Sequence, residues 1–416
     1  SSAEAQRLYS AEPLARSVFH ASYVLHGRLS HSTLDSSRIV VLPREMDGFV
    51  SYVSGPAGDR FAELGSGAIE SRGGWIVGVQ HSHYLAAIAE AIDSSRGGAG
   101  DHLGVTAAAE ARRWMPSALD DPHVYALLSA GETEGVYLLE GQGIRDHLKA
   151  IKPSSFGELV NIISLYRPGP LEGRLWERYV ENAEKKGKVN LPHSALASIL
   201  ALTRGVLLYR EQVREILEDT AGLRGAEAVA VERALRDRDS GALQAARLAY
   251  MRGAMDAGVN EEDAEKIFEF LLRSIAFTHS KALSCSQASM SYRTAYLKAH
   301  AFEPYFTALL NSNIDVKERL QRYLAYVESK GAAVAPFGIN ADAIAFSFED
   351  GVIRAPLRSL VALEKGDWEA IVEERIWKGD FASMLDFLER MQGRVSERST
   401  LALVARGVFD DGGYGR

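Results

Sequence analysis

Cysteine is almost missing from these 416 residues: Cys285 stands alone. A single thiol closes no intrachain disulfide and builds no cysteine-based zinc site, and it fits a reducing compartment. Long apolar runs are missing as well, and neither end carries a targeting signal, since the first residues include Glu4, Arg7 and Glu12 with no apolar stretch among them. A soluble, cytoplasmic protein with no membrane partner is expected. There is no basic excess either: the net charge is −8 and the pI near 5.8, which argues against a wholly basic nucleic-acid coat but leaves room for a local basic channel. What is present is an ordinary globular balance, 46% hydrophobic and 25% charged, enough for two or three domains with a sizeable core.

The pattern along the chain predicts an α+β protein in three parts, 1–150, 151–332 and 333–416. In the first, "RIVVLP" (Arg38–Pro43) and "GWIVGVQ" (Gly74–Gln80) are short apolar runs between turn formers, expected as buried strands, and "SSRGGAG" (Ser94–Gly100) reads as a flexible loop. The second part is helical. Val206, Tyr209, Val213, Ile216 and Leu217 recur as one buried stripe, Asn260 caps a helix whose first turn holds Glu261, Glu262 and Asp263, Pro304 suits a first turn, and Gly331 suits a left-handed cap. A bundle from about Phe156 to Gly331 is expected. In the third part Ile344, Phe346 and Phe348 alternate on one face, Asp350-Gly351 supplies a hairpin turn, and two short helices should follow.

Three islands carry more polar detail than packing requires. "GETEGVYLLEGQGIRDHLKAIKP" (Gly131–Pro153) runs on to "SLYRPGPLEGR" (Ser164–Arg174), where Pro168 and Pro170 lock φ, Gly169 is free to take a positive one, and Arg167 sits on a stiff corner. "TRGVLLYREQV" (Thr203–Val213) gathers Tyr209, Arg210, Glu211 and Gln212, and "FTHSKALSCSQASMSYRTAYLKAH" (Phe277–His300) spreads Lys281, Arg293, Lys298 and His300 along a helix. Singly, such residues are more often solvated faces or core. Together, "SLYRPGPL", "GVLLYREQV" and "SYRTAYLKAH" in this order resemble the fingers region of the bacterial C-family replicative polymerase, the DNA polymerase III alpha subunit, and Gly131–Pro153 looks like its palm-to-fingers junction. The likeness runs from about Leu14 to the 390s. It implies a partial palm-like portion, then a helical fingers-like domain, then a hairpin and helix-hairpin-helix region. It further implies that Arg167 and Lys281 line the nucleotide pocket with Tyr209, Arg210 and Gln212 nearby, that Glu132 to Glu140 form its floor, and that Arg293, Lys298 and His300 meet DNA. A guanidinium on a rigid corner loses little entropy on meeting phosphate.

The family pattern then breaks. Such polymerases hold two magnesium ions roughly 3.5–4 Å apart on three palm carboxylates. The resemblance places the first two, an Asp-x-Asp, upstream of this chain, and Val79 or Gln80 stands at the third, so no metal site, no catalytic residue and no cofactor is expected. Asp237-x-Asp239 reads as helical, with side chains pointing apart, and Asp120-Asp121 and Asp410-Asp411 read as cap or turn residues. The family's Asn-Lys-Ser-His appears as Ser280-Lys281-Ala282-Leu283, Glu232 and Asp237 replace basic residues where they would repel a triphosphate, and the helix-hairpin-helix looks replaced by Leu357–Arg375, which keeps only Gly366. The favoured expectation is therefore a non-enzyme, a decoy or self-resistance protein that holds a small-molecule inhibitor of the replicative polymerase in its palm–fingers cleft. The alternative is a DNA- or replisome-binding accessory factor in replication or repair, with primer–template DNA as partner.

Overall fold

The computed structural model describes residues 38–42, 52–54, 60–62, 69, 73–78, 82–94, 118–184, 189–335, 338–340, 344–360 and 363–409. The chain divides into two compact units, Ser1–Ser82 and His83–Arg416. Ser95–Gly100 of the expected loop, and Asp410-Asp411, lie outside the described residues.

In the first unit, β1 (Arg38–Val41) pairs antiparallel with β4 (Trp75–Gly78), Ile39 opposite Val77, and β2 (Tyr52–Ser54) pairs with β3 (Arg60–Ala62). The two apolar runs are strands, but they are not buried throughout. Trp75 and Val77 are 74% and 46% exposed while Ile76 between them is half-buried, because successive side chains of a two-stranded ladder point to opposite faces.

The second unit is built of helices. α1 (His83–Ser94) lies on a later helix, Phe302–Ser312. α2 (Pro122–Ser129), α3 (Gln142–Ile151), α4 (Phe156–Leu165), α5 (Pro168–Glu172), α6 (Leu175–Glu184) and α7 (Leu196–Leu200) follow. Next come α8 (Arg210–Ala221), α9 (Gly225–Asp237), α10 (Ser240–Asp256) and α11 (Glu261–Ser274), then the 20-residue α12 (Lys281–His300), α13 (Phe302–Ser312) and α14 (Lys317–Ser329). Asn260 caps α11 through the N–H of Asp263, Pro304 falls in the first turn of α13, and Gly331 takes φ +80° just beyond α14. The stripe read from Val206 to Leu217 is buried but does not belong to one helix. α8 begins only at Arg210, so Val206 and Tyr209 approach it as extended chain and pack with α4 and α12, while Val213, Ile216 and Leu217 pack with Tyr250 and Phe268.

The chain ends in a small sheet and three helices. β7 (Val352–Arg354) lies between β5 (Ala333–Ala335), parallel to it, and β6 (Ser347–Glu349), antiparallel. Asp350 and Gly351, at φ +51° and +80°, make the two-residue turn in the left-handed conformation that such hairpins need. Phe346 is buried, but Ile344 precedes the strand and is 51% exposed, so the alternation begins one residue pair later than the sequence suggests. α15 (Lys365–Lys378), α16 (Met384–Met391) and α17 (Glu397–Ala405) then pack around Ile371, Phe381, Phe387 and Leu403. This is one helix more than expected.

Gly253 of α10 lies against the C-terminal end of α8, where an added Cβ would overlap the carbonyl oxygen of Ala221. Gly253→Ala gains up to about 1 kcal/mol of helix propensity but must separate two backbones. The expected net result is a loss of about 1–3 kcal/mol in urea unfolding. An unchanged or raised midpoint would show that the two helices are not held this close.

Candidate functional site

The Arg167 corner forms because α4 cannot continue through two prolines. Ser155 opens α4 by accepting from the N–H of Glu158, and α4 closes at Leu165. Arg167 is extended, at φ −138° and ψ 153°, as the residue before a proline prefers, and Pro168 starts α5 at its first helical position. The corner is thus stiffened by a helix start, and Gly169 is helical instead of taking the positive φ that its freedom allowed. Arg167 Nη2 donates to Oε1 of Gln287 on α12 at 2.9 Å, and partial burial lowers the guanidinium's pKa while Tyr209 acts against this.

Backbone pairing brings the second and third islands to this corner. His279 N–H donates to the carbonyl of Leu208 (3.2 Å) and Arg210 N–H to that of His279 (3.0 Å), a parallel bridge centred on Tyr209 and His279. Both oxygens of Glu211 accept the N–H of Lys281, at 3.0 and 3.1 Å, which fixes the start of α12. Arg210 and Lys281 are exposed, and Lys281 Nζ lies 5.8 Å from the centre of the Tyr209 ring. Behind them His279 Nε2 meets the Ser284 hydroxyl at 2.7 Å, while Nδ1 is buried with no hydrogen-bond partner. Burial first, and then Arg167, push its pKa down to about 4. Sequence reasoning overlooked His279 and Gln287 as parts of this site, and named Glu211 without its role at the start of α12. The imidazole just before the helix-opening Ser280 was the available signal.

Tyr209 and Gln212, expected beside the nucleotide pocket, lie in the core. The Tyr209 hydroxyl donates to Asn161 Oδ1 (2.7 Å) and meets the Ser164 hydroxyl (3.1 Å), both on α4. Gln212 Oε1 accepts the N–H groups of Leu208 and Tyr209, each at 3.1 Å, and its Nε2 donates to Ile199 O and Thr203 Oγ1. With every polar atom satisfied inside, both residues shape the corner without facing outward.

Glu132, Glu140 and Lys298 belong to a different network. Lys298 is 4% exposed and donates Nζ to the carbonyls of Glu132 (2.6 Å) and Glu134 (2.7 Å), with the Tyr326 ring 4.4 Å away, so it does not face DNA. Burial pushes its pKa down to about 7. Glu132 pairs with Lys330 at 2.7 Å, a bond that holds its carboxyl below the usual range. Glu140 accepts from Tyr84, Gly135 N–H, Tyr323 and Arg322 at 2.8–3.2 Å. The expected floor is therefore a brace tying the 131–140 loop to α1, α12 and α14. Of the other two expected DNA contacts, Arg293 is exposed, and His300, also exposed, has its Nε2 2.9 Å from Asp121 Oδ2.

The acids are placed as follows. Asp121 caps α2. Asp237 ends α9, Arg238 turns in the left-handed region, and Asp239 caps α10, so this pair straddles a turn instead of sharing one helix. Glu232 is 2% exposed and pairs with Arg214 (2.7 Å) and Arg236 (3.3 Å), which corrects the idea that it confronts a triphosphate. Val79 and Gln80 lie outside the described residues. Among the described residues one trio, Asp121, His123 and His300, has the donor atoms and spacing for a metal ion, and no helix is long and apolar enough to cross a membrane.

Tyr209→Phe removes a hydroxyl from two buried partners, and a loss of about 1–3 kcal/mol in chemical denaturation is expected. A neutral result would mean that Asn161 and Ser164 find other partners. His279 predicts a pH effect of definite sign. Its folded pKa of about 4 lies below the ordinary 6.5, so between those values the unfolded chain holds more protons and folding weakens as pH falls. On going from pH 7 to pH 5, the wild type should lose roughly 1–2 kcal/mol more than His279→Gln. Equal losses would show that the imidazole already titrates normally.

Residues 90–258 match the family described as the bacterial DNA polymerase III alpha subunit finger domain, and residues 331–416 match a helix-hairpin-helix motif. The second match corrects the expectation that this motif had been replaced. Leu357–Arg375 lies inside that match, and its Gly366 falls in the first turn of α15. The chain is 32% identical over 294 residues to the DNA polymerase III subunit alpha of Halalkalibacterium halodurans, covering 70% of this chain and 26% of that protein. It is 30% identical over 297 residues to that of Aquifex aeolicus, with 70% and 25% covered, and 28% identical over 402 residues to that of Thermus aquaticus, with 95% and 32% covered. It thus spans about a quarter to a third of the length of these relatives. With the fingers model, the helix-hairpin-helix model and similarity along almost its whole length in agreement, this chain belongs to the DNA polymerase III alpha subunit family.

Proposed function

We propose that this chain is a DNA-binding member of the DNA polymerase III alpha family that engages primer–template DNA without transferring nucleotides. The observation that carries this reading is the pairing of a fixed cationic face with a helix-hairpin-helix match in the same chain. Arg167 is anchored on a neutral amide, Gln287, and no acid quenches it there, while Arg210 and Lys281 are exposed beside it. Such pre-placed cations suit phosphate, and a helix-hairpin-helix suits the duplex backbone. The non-catalytic part rests on the sequence "WIVGVQ", which offers no carboxylate where the resemblance calls for a magnesium ligand.

A second reading, capture of an apolar polycyclic or macrocyclic inhibitor of the replicative polymerase, is favoured by Leu283. It stands where the family has an imidazole and is 49% exposed, which places an apolar side chain at the surface in the first turn of the helix that Lys281 opens.

Fluorescence anisotropy of a labelled primer–template against salt separates the two. On the DNA reading, affinity falls steeply with salt, and Arg210→Ala with Lys281→Ala weakens binding and lowers the log–log slope by roughly one per lost phosphate contact. The same protein with magnesium and four nucleotides should leave the primer unextended. No anisotropy change at low salt, together with stoichiometric heat on titration with an inhibitor, would replace DNA by the small molecule, and extension of the primer would end both readings.

A further inference from the structure

Away from the Arg167 face, the N-cap of α2 meets the last residue of α12. Asp121 Oδ1 accepts the N–H groups of His123 (2.8 Å) and Val124 (3.3 Å), and Oδ2 lies 2.9 Å from His300 Nε2. His123 Nδ1 is 3.5 Å from Asp121 Oδ1, and one donor atom from each of the three residues lies within 4.8 Å of the others. Asp121 is held by its own N–H, which donates at 2.8 Å to the hydroxyl of Tyr292, on α12 like His300. Two of the three donors are therefore fixed by rigid elements before any ion arrives, while the His123 side chain is 77% exposed, its ring 5.7 Å from that of His300.

We propose that Asp121, His123 and His300 bind a divalent transition ion of the zinc class. Two imidazoles and one carboxylate are the donors such ions prefer, whereas magnesium and calcium prefer all-oxygen surroundings. The spacing agrees with this. Ligands about 2.0–2.2 Å from a tetrahedral zinc stand about 3.3–3.6 Å apart, and the observed separations, 2.9 Å from Asp121 Oδ2 to His300 and 3.5 Å from Asp121 Oδ1 to His123, lie close to that edge. The electrostatics agree on one side: the C-terminal end of α12 carries the negative pole of a 20-residue helix, and the Asp121 carboxylate stands between the ion and the positive pole of α2. With three protein donors, water completes the shell. Bound metal would clamp the start of α2 to the end of α12, a tie independent of the DNA and inhibitor readings.

The test titrates the full chain with zinc chloride by calorimetry and with cobalt(II) by its visible d–d absorption. One equivalent is expected to bind and to raise the unfolding temperature, with millimolar magnesium unable to displace it. His123→Ala should weaken binding by at least about tenfold and abolish the thermal shift while leaving the metal-free unfolding temperature unchanged, since its ring is exposed. His300→Gln should act in the same direction on binding. Affinity unchanged in His123→Ala, displacement by magnesium, or no stoichiometric binding by the wild type would each overturn the proposal.

Discussion

The parallel bridge between Tyr209 and His279 is the join on which the candidate face depends. Two strands' worth of hydrogen bonding are reduced here to two bonds, His279 N–H to Leu208 O and Arg210 N–H to His279 O, yet these align the start of α8 with the start of α12. The Tyr209 phenol reaches the other way, into Asn161 and Ser164 of α4, so a single residue couples the helix before the Arg167 corner to the two that flank it. Buried polar groups of this kind hold position because leaving any one unpaired costs more than the bond itself contributes. Arg167, Arg210 and Lys281 converge because the neutral groups behind them admit one arrangement.

Charge is sorted by the same logic. At the face Arg167 is partnered by an amide and Arg210 and Lys281 are exposed, which keeps them available, whereas the cations of the 131–140 brace are paired with carbonyls and carboxylates. Lys298 is the extreme: burial disfavours its charge, and the nearby carboxylates of Glu132 and Glu134 offset that only in part. Such a residue tolerates little movement of its surroundings, so the brace supplies rigidity behind an open surface.

Membership of the polymerase family gives these features a context without dictating their use. The fingers match and the helix-hairpin-helix match both fall within the His83–Arg416 unit, and the second packs around its own hydrophobic cluster. The residues that differ from the family pattern do not all act as their charge suggests. Glu232 is neutralised between two arginines and adds nothing to the field at the surface, while Leu283 is exposed and changes what that surface attracts.

Local chemistry, which sequence records directly, determined the caps at Asn260 and Asp121, the Asp350-Gly351 hairpin, the helix break before Pro168 and the family itself. Each depends on a few neighbouring residues or on an ordered string of motifs. The tertiary structure alone decided which polar side chains face solvent. Tyr209, Gln212 and Lys298 have the residue types of a binding site and lie inside, and Trp75 has the type of a core residue and lies outside, because burial depends on what distant segments bring alongside. The joining of Asp121 to His300, 179 positions apart, is legible only in the fold for the same reason.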